Sequence, residues 1–228
     1  MATVFLGGKK VFGYCLGVIT VLFTLSAFLY SCVLMNASSL PLRKNFYFLA
    51  SESEHAQATA YFIQADGGAG YPFTVKGKDY VAISVYLDYS DGVRALESYS
   101  EHEESTLITL GTEKLYFKTA AEKRSAKKAQ GAFYSLLGCI EVLEKEIARL
   151  ENGATQQSCG RILKELENQF CFLKEEYSGL FSEFSTVCAW AEGETSHLQT
   201  KIIYLKDLRF ILCDLCFSFV KLSQAYAL

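Results

Sequence analysis

The sequence predicts an α+β chain in three parts: an N-terminal transmembrane helix, a small βαββαβ domain and a C-terminal antiparallel α-helical bundle. Three observations carry that prediction. Residues 11–35 contain no charged side chain. Between residues 45 and 112, short apolar segments alternate with turn residues. From Ala120 onward the apolar spacing switches to steps of three and four. Half the residues are hydrophobic and 14% are aromatic, enough for a packed core and too apolar for a disordered chain. The net charge of −3 argues against nucleic acid as a partner, which calls for a basic stripe.

The run from Val11 to Met35, VFGYCLGVITVLFTLSAFLYSCVLM, supplies 25 uncharged residues, where a spanning helix takes ~20. It exceeds the ~7–15 apolar residues of a cleaved signal peptide, and Tyr30-Ser31-Cys32 is a poor cleavage site. The expectation is a single-pass signal anchor in the cell membrane, with residues 1–10 cytoplasmic, 36–44 a linker and the bulk of the chain extracytoplasmic. Lys9 and Lys10 before the run are balanced by Arg43 and Lys44 after it, so orientation rests on the signal-like order of charges. Leu29-Tyr30-Ser31-Cys32 also has the outline of a lipobox with Cys32 acylated, which would attach the chain to a membrane as well.

Asn45 to Ser51, NFYFLAS, reads as a short aromatic strand. Ser51-Glu52-Ser53-Glu54 has the spacing of a capping box, opening a helix that carries Ala56, Ala60, Phe62 and Ile63. Tyr71–Val75 and Asp79–Leu87 read as strands around a turn at 76–78. Asp88 or Ser90 caps a second helix, and Thr106–Leu110 closes as a strand. This βαββαβ order makes a ferredoxin-like antiparallel sheet with both helices on one face. The glycine cluster Gly67-Gly68-Ala69-Gly70 follows a helix and precedes a strand, the reverse of a phosphate-binding loop, so it turns a corner with Gly67 left-handed past the helix end.

The segment 44–112 resembles the SPOR domain family. The resemblance lies in Phe46 and Phe48 of the aromatic strand, Ala56 and Ala60 of the helix, the Gly70-Tyr71 turn, Tyr80-Val81 in the strand pair and Ala95 in the second helix. Where the family often has a polar residue and then glycine in its first strand, this chain has Leu49 and Ala50. The resemblance implies a non-catalytic bacterial envelope protein that binds peptidoglycan glycan strands, in sporulation or division. Strand alternation along 79–88 places Tyr80, Ala82, Ser84 and Tyr86 on the face away from the helices. Tyr80, Ser84 and Tyr86, with Tyr71, are therefore the expected glycan-binding residues, since tyrosine joins a stacking ring to a polar tip. The competing expectation is that these tyrosines pack against the C-terminal helices, in an adaptor that docks other membrane or envelope proteins and has no glycan site.

In the C-terminal half, Leu136 to Leu150, Leu163 to Phe184 and Leu198 to Leu222 predict three helices of a bundle over 119–228, broken at Asn152-Gly153 and around Gly193. That bundle is a further protein-docking surface. FILCDLCFSFV (Phe210–Val220) is apolar nearly all round and reads as a buried central helix. Of eight cysteines, Cys139, Cys159, Cys171, Cys188, Cys213 and Cys216 fall in this half. Their apolar neighbours favour buried thiols, and disulfides are the alternative. Cys213-Asp214-Leu215-Cys216 lacks the second pair a zinc site needs, so no metal and no cofactor are expected. His55, His102 and His197 stand singly in polar surroundings, and no catalytic constellation is legible.

Overall fold

The computed structural model describes residues 39–40, 43–99, 105–112, 115–116, 120–179 and 182–225. The elements in chain order are β1 (Ser39–Leu40), β2 (Asn45–Glu52), α1 (Ala56–Ala65), β3 (Tyr71–Val75), β4 (Lys78–Tyr86), α2 (Tyr89–Tyr99), β5 (Ser105–Gly111), β6 (Leu115–Tyr116), α3 (Ala120–Glu151), α4 (Gln156–Tyr177), α5 (Ser182–Leu198) and α6 (Leu205–Ala225). Four strands form an antiparallel sheet in the order β3-β4-β2-β5, and β1 pairs with β6 separately. Helices α1 and α2 lie on one face of the four-stranded sheet, the outer face, against β4 with β3 and β2 with β5 respectively. On the inner face α6 crosses β4, β3 and β5, and packs in turn on α3 and α5.

The membrane part of the sequence reading is corrected. Among the described residues no helix is long and apolar enough to cross a membrane. The expected anchor at 11–35, with Cys15 and Cys32, lies outside the described residues. The cell-membrane location and the extracytoplasmic placing inferred from it therefore have no structural support.

Local details show how the chain makes these elements. Helix α1 does not start at the expected capping box, because Ser51 and Glu52 belong to β2; His55 is the N-cap and makes no side-chain cap bond. Ser53 Oγ instead accepts from His55 N at 3.1 Å and pairs with Thr59 Oγ1. At the other end of α1, Gly68 N donates to Ile63 O and Gly67 N to Gln64 O, with Gly67 at φ +89°. That is the paired bonding of a left-handed helix terminus, for which glycine has no Cβ penalty. The same pair of bonds recurs at Gly153 (φ +87°), where Ala154 N donates to Arg149 O and Gly153 N to Leu150 O, and Thr155 then caps α4. The two-residue turn between β3 and β4 takes both Lys76 and Gly77 to positive φ, matching the strand twist.

The bundle has four helices rather than three. The long Leu163–Phe184 repeat is interrupted after Tyr177, and the third segment is split by the loop that carries Ile202. Gly193, expected at a break, lies inside α5. The heptad-like spacing runs through these breaks because the same apolar seam continues from one helix to the next, so periodicity alone does not mark the corners.

One continuous core joins sheet and bundle. Phe219 of α6 is fully buried and meets Phe46 of β2 edge-on at 5.7 Å and Phe133 of α3 at 5.3 Å. Phe217 does the same to Phe73 and Tyr71 of β3. Truncating such a ring leaves a cavity shared by both layers. Phe219→Ala is expected to cost about 3–5 kcal/mol and to shift far-UV and near-UV urea transitions together. Two separated transitions, with only one displaced, would show that sheet and bundle unfold independently.

Candidate functional site

The four residues expected to bind glycan do not share a face. In the pairing of β2 with β4, Leu49 opposes Ser84 and Ala50 opposes Ala82, so Ile83 is an extra residue, a β-bulge. A one-residue insertion exchanges the two faces for everything beyond it. Tyr80 and Ala82 therefore point to the inner face, with Val85 after the bulge, since Val85 opposes Phe48 of the inner core. Ser84 and Tyr86 point outward, opposite Leu49 and Tyr47. Strict alternation along 79–88 missed this because the bulge carries no glycine or proline to announce it.

The inner face is not open either. Tyr71 is only 9% exposed, meeting Phe210 edge-on at 5.3 Å, with Phe217 also in contact. Tyr80 stacks on Phe73 at 5.8 Å and is half-buried. Ser84 is buried on the outer side. The apolar helix read from FILCDLCFSFV covers the face where sugar rings were expected to stack. The expectation that Tyr71, Tyr80, Ser84 and Tyr86 share one open face is corrected accordingly: Tyr71 and Tyr80 lie on the inner side, Ser84 and Tyr86 on the outer.

What these elements bring together is a polar seam between sheet and bundle. Arg209 at the start of α6 donates from Nη1 to the carbonyl of Gly67 and from Nη2 to Glu151 Oε1, both at 2.6 Å. It ties α6 to the glycine corner after α1 and to the last residue of α3. Glu144 of α3 accepts from Leu87 N at 2.8 Å, closing an amide at the end of β4 that β3 is too short to reach. Burial raises the proton affinity of Glu144, and the Leu87 amide works against that rise. Deeper in the seam the Tyr71 hydroxyl hydrogen-bonds the carboxylate of Asp214. Desolvation pushes both groups above their ordinary values; the Tyr71 bond opposes the rise for Asp214, as does Lys221, while Glu194 adds to it. The signal for Asp214 was visible as a lone acid in an otherwise apolar helix. Arg209 and Glu144 sat in ordinary charged stretches and gave none.

Two grooves open beside the seam. One, of about 640 Å³, runs between α2 and α3 past Tyr86, with Asp91, Arg94, Glu144, Lys145 and Glu151 along it. Its charges are mixed and several are already paired: Arg94 with Asp91, and Glu151 with Arg209. The other, of about 680 Å³, lies where α6 leaves the inner face uncovered, and Tyr80 is part of its lining.

The six cysteines of the helical half are free. Cys139, Cys159, Cys188, Cys213 and Cys216 are buried and Cys171 is half-buried. Burial raises the Cys139 thiol to about 11 and the Cys188 thiol to about 12, which keeps them protonated and unreactive at neutral pH. Among the described residues no group of three or more His, Cys, Asp or Glu side chains is arranged to hold a metal. His55 and His197 are exposed, and His102 lies outside the described residues.

The chain matches no protein-family model, no curated protein and no solved structure. The resemblance to SPOR domains, with the peptidoglycan binding and sporulation role it implied, thus rests on no match.

Two tests follow from the seam. Arg209→Ala, which leaves the Gly67 carbonyl and Glu151 without their donor, is expected to lose about 2 kcal/mol, in the range for hydrogen bonds to charged groups; an unchanged urea midpoint would overturn the clamp. Asp214 binds its proton more tightly folded than unfolded, so the stability it subtracts grows as pH rises from the ordinary carboxylate range through its raised value. Asp214→Asn keeps an acceptor for Tyr71 without the charge. Its melting temperature relative to the native chain should therefore rise between pH 4 and pH 7. Asp214→Ala, which strands the Tyr71 hydroxyl, should instead be destabilised by about 1–3 kcal/mol. A pH-independent gap for the asparagine variant would refute the assignment.

Proposed function

We propose that this protein is a non-catalytic interaction module, a rigid platform of sheet and helical bundle that docks other proteins. The observation that carries this reading is the covering of much of the inner sheet face by α6, where Phe210, Phe217 and Phe219 make aromatic contacts with β2 and β3. A sheet filled in this way offers its rims and helix surfaces to partners rather than a concave sugar-binding face. The titratable groups with shifted proton affinity serve the scaffold. Asp214 holds Tyr71, Glu144 holds the Leu87 amide, and the buried thiols sit in apolar surroundings. Large apolar side chains remain on the surface, among them Tyr61 and Phe62 side by side on α1 at 71% and 66% exposure, and Tyr134 on α3. Tyrosine and phenylalanine are enriched where proteins dock.

Site-specific photo-crosslinking of the full-length chain in its native cells tests this. A benzophenone side chain placed at Phe62, Thr109 or Tyr134 should trap at least one discrete second polypeptide, while the same group at buried Phe170 should not. Crosslinks at the three exposed positions that join the chain to no other protein would overturn the proposal.

A further inference from the structure

The edges of the sheet are finished in different ways. The β3 edge is five residues long, contains Pro72 and ends at a turn bearing Lys76 and Lys78. Proline, lysine and shortness are the usual means of keeping another strand away. The stretch of β4 beyond the reach of β3 is closed at Leu87 by Glu144. β5 has none of these devices. Its seven residues, Ser-Thr-Leu-Ile-Thr-Leu-Gly, carry no charge and no proline, and keep unbroken register with β2. Among the described residues β5 pairs with β2 alone within the four-stranded sheet.

The direction of the free hydrogen-bonding groups follows from one bond. Thr112 N donates to Lys44 O at 2.9 Å. Antiparallel alternation then turns the main chain of Thr106, Ile108 and Leu110 toward β2, and that of Leu107 and Thr109 toward the outer side. The apolar side chains agree with an incomplete sheet: Leu107 on the outer face, and Ile108 and Leu110 on the inner face, are only half-buried. Ile108, Thr109 and Leu110 also line the groove of about 680 Å³, whose far wall is Phe217 and Val220 of α6. Its charged lining residues are Lys76, Lys78 and Lys221, and no carboxylate lines it among the described residues. Glu52 engages Lys78, and Lys221 lies 4.4 Å over the ring of Phe217 with its ammonium at the groove.

We propose that β5 and this groove accept an extended segment of a partner protein, with apolar and acidic side chains in alternation, added to the sheet as a fifth strand. The proposal rests on the interaction-module reading and names its site and ligand class. Main-chain bonds to Leu107 and Thr109 hold the segment. Its apolar side chains cover Ile108 and Leu110 beside Phe217, and its carboxylates meet Lys221. Affinity comes from the backbone pairing and selectivity from the groove.

The test uses the full-length chain and three fluorescent peptides: alternating valine and glutamate, alternating valine and lysine, and the glutamate peptide with a central proline. Only the first should raise anisotropy on titration, and it should slow amide exchange at Leu107 and Thr109. Thr109→Pro removes an outward N–H without touching a bond to β2, so it should keep the native melting temperature and weaken binding about tenfold or more. Should that variant fold poorly, Lys221→Glu serves instead. It is expected to lose the glutamate peptide while circular dichroism shows the chain still folded. Equal binding of the lysine peptide, no binding to folded protein, or indifference to both substitutions would overturn the proposal. So would sedimentation showing a dimer that Thr109→Pro dissociates, since the edge would then belong to a second copy of this chain. Failure here, with crosslinks retained at Phe62 or Tyr134, would leave the broader reading standing.

Discussion

The packing of α6 against the inner face of the sheet is the contact on which the rest of the molecule depends. A four-stranded sheet with helices on one face leaves an apolar surface exposed on the other, and this chain covers it with its own last helix. Phe210, Phe217 and Phe219 meet Tyr71, Phe73 and Phe46 edge to face, the arrangement aromatic quadrupoles prefer. Helix α6 is then buried on its opposite side by α3 and α5. A helix apolar nearly all round has no solvent face to satisfy, which is why it occupies the centre.

Apolar packing is tolerant of sliding, and the polar groups at its margin restrict that freedom. Arg209 reaches a backbone carbonyl of the glycine corner and a carboxylate of α3 at once. Asp214 meets Tyr71, and Glu144 meets the end of β4. Each joins the sheet region to the bundle, and Arg209 and Asp214 would lose their partners if α6 shifted by a turn. Their buried, partly desolvated setting lowers their net contribution to stability, so their effect lies more in fixing register than in holding the layers together.

How much of this was legible in the sequence depends on the range of the interaction that decides each feature. The glycine corner was readable because Gly67 terminates a helix through bonds to residues three and five positions away, all within one local pattern. The turn at Gly153 was readable for the same reason. The central helix was readable from composition alone. The bulge at Ile83 was not, because it is set by how β4 pairs with β2, over thirty positions earlier, and no turn residue marks it. That single insertion scattered the four expected site residues over two faces. The split of the bundle into four helices was equally hidden, since the apolar seam runs on through the corners. Arg209 became meaningful only once folding placed it beside Gly67.

The treatment of the sheet edges connects the fold to its use. Among the described residues β3 and β5 are the two edges of the sheet, and β5 is the one whose pairing capacity is not blunted by proline or flanked by a lysine-bearing turn. An edge with no charge, proline or bulge is an aggregation hazard unless something regular occupies it. Lys221 supplies a selectivity that a bare backbone lacks: it admits a carboxylate-bearing strand and opposes a basic one. The same helix that covers much of the inner face, by placing Phe217 and Lys221 beside β5, thus shapes the place where a strand can be added.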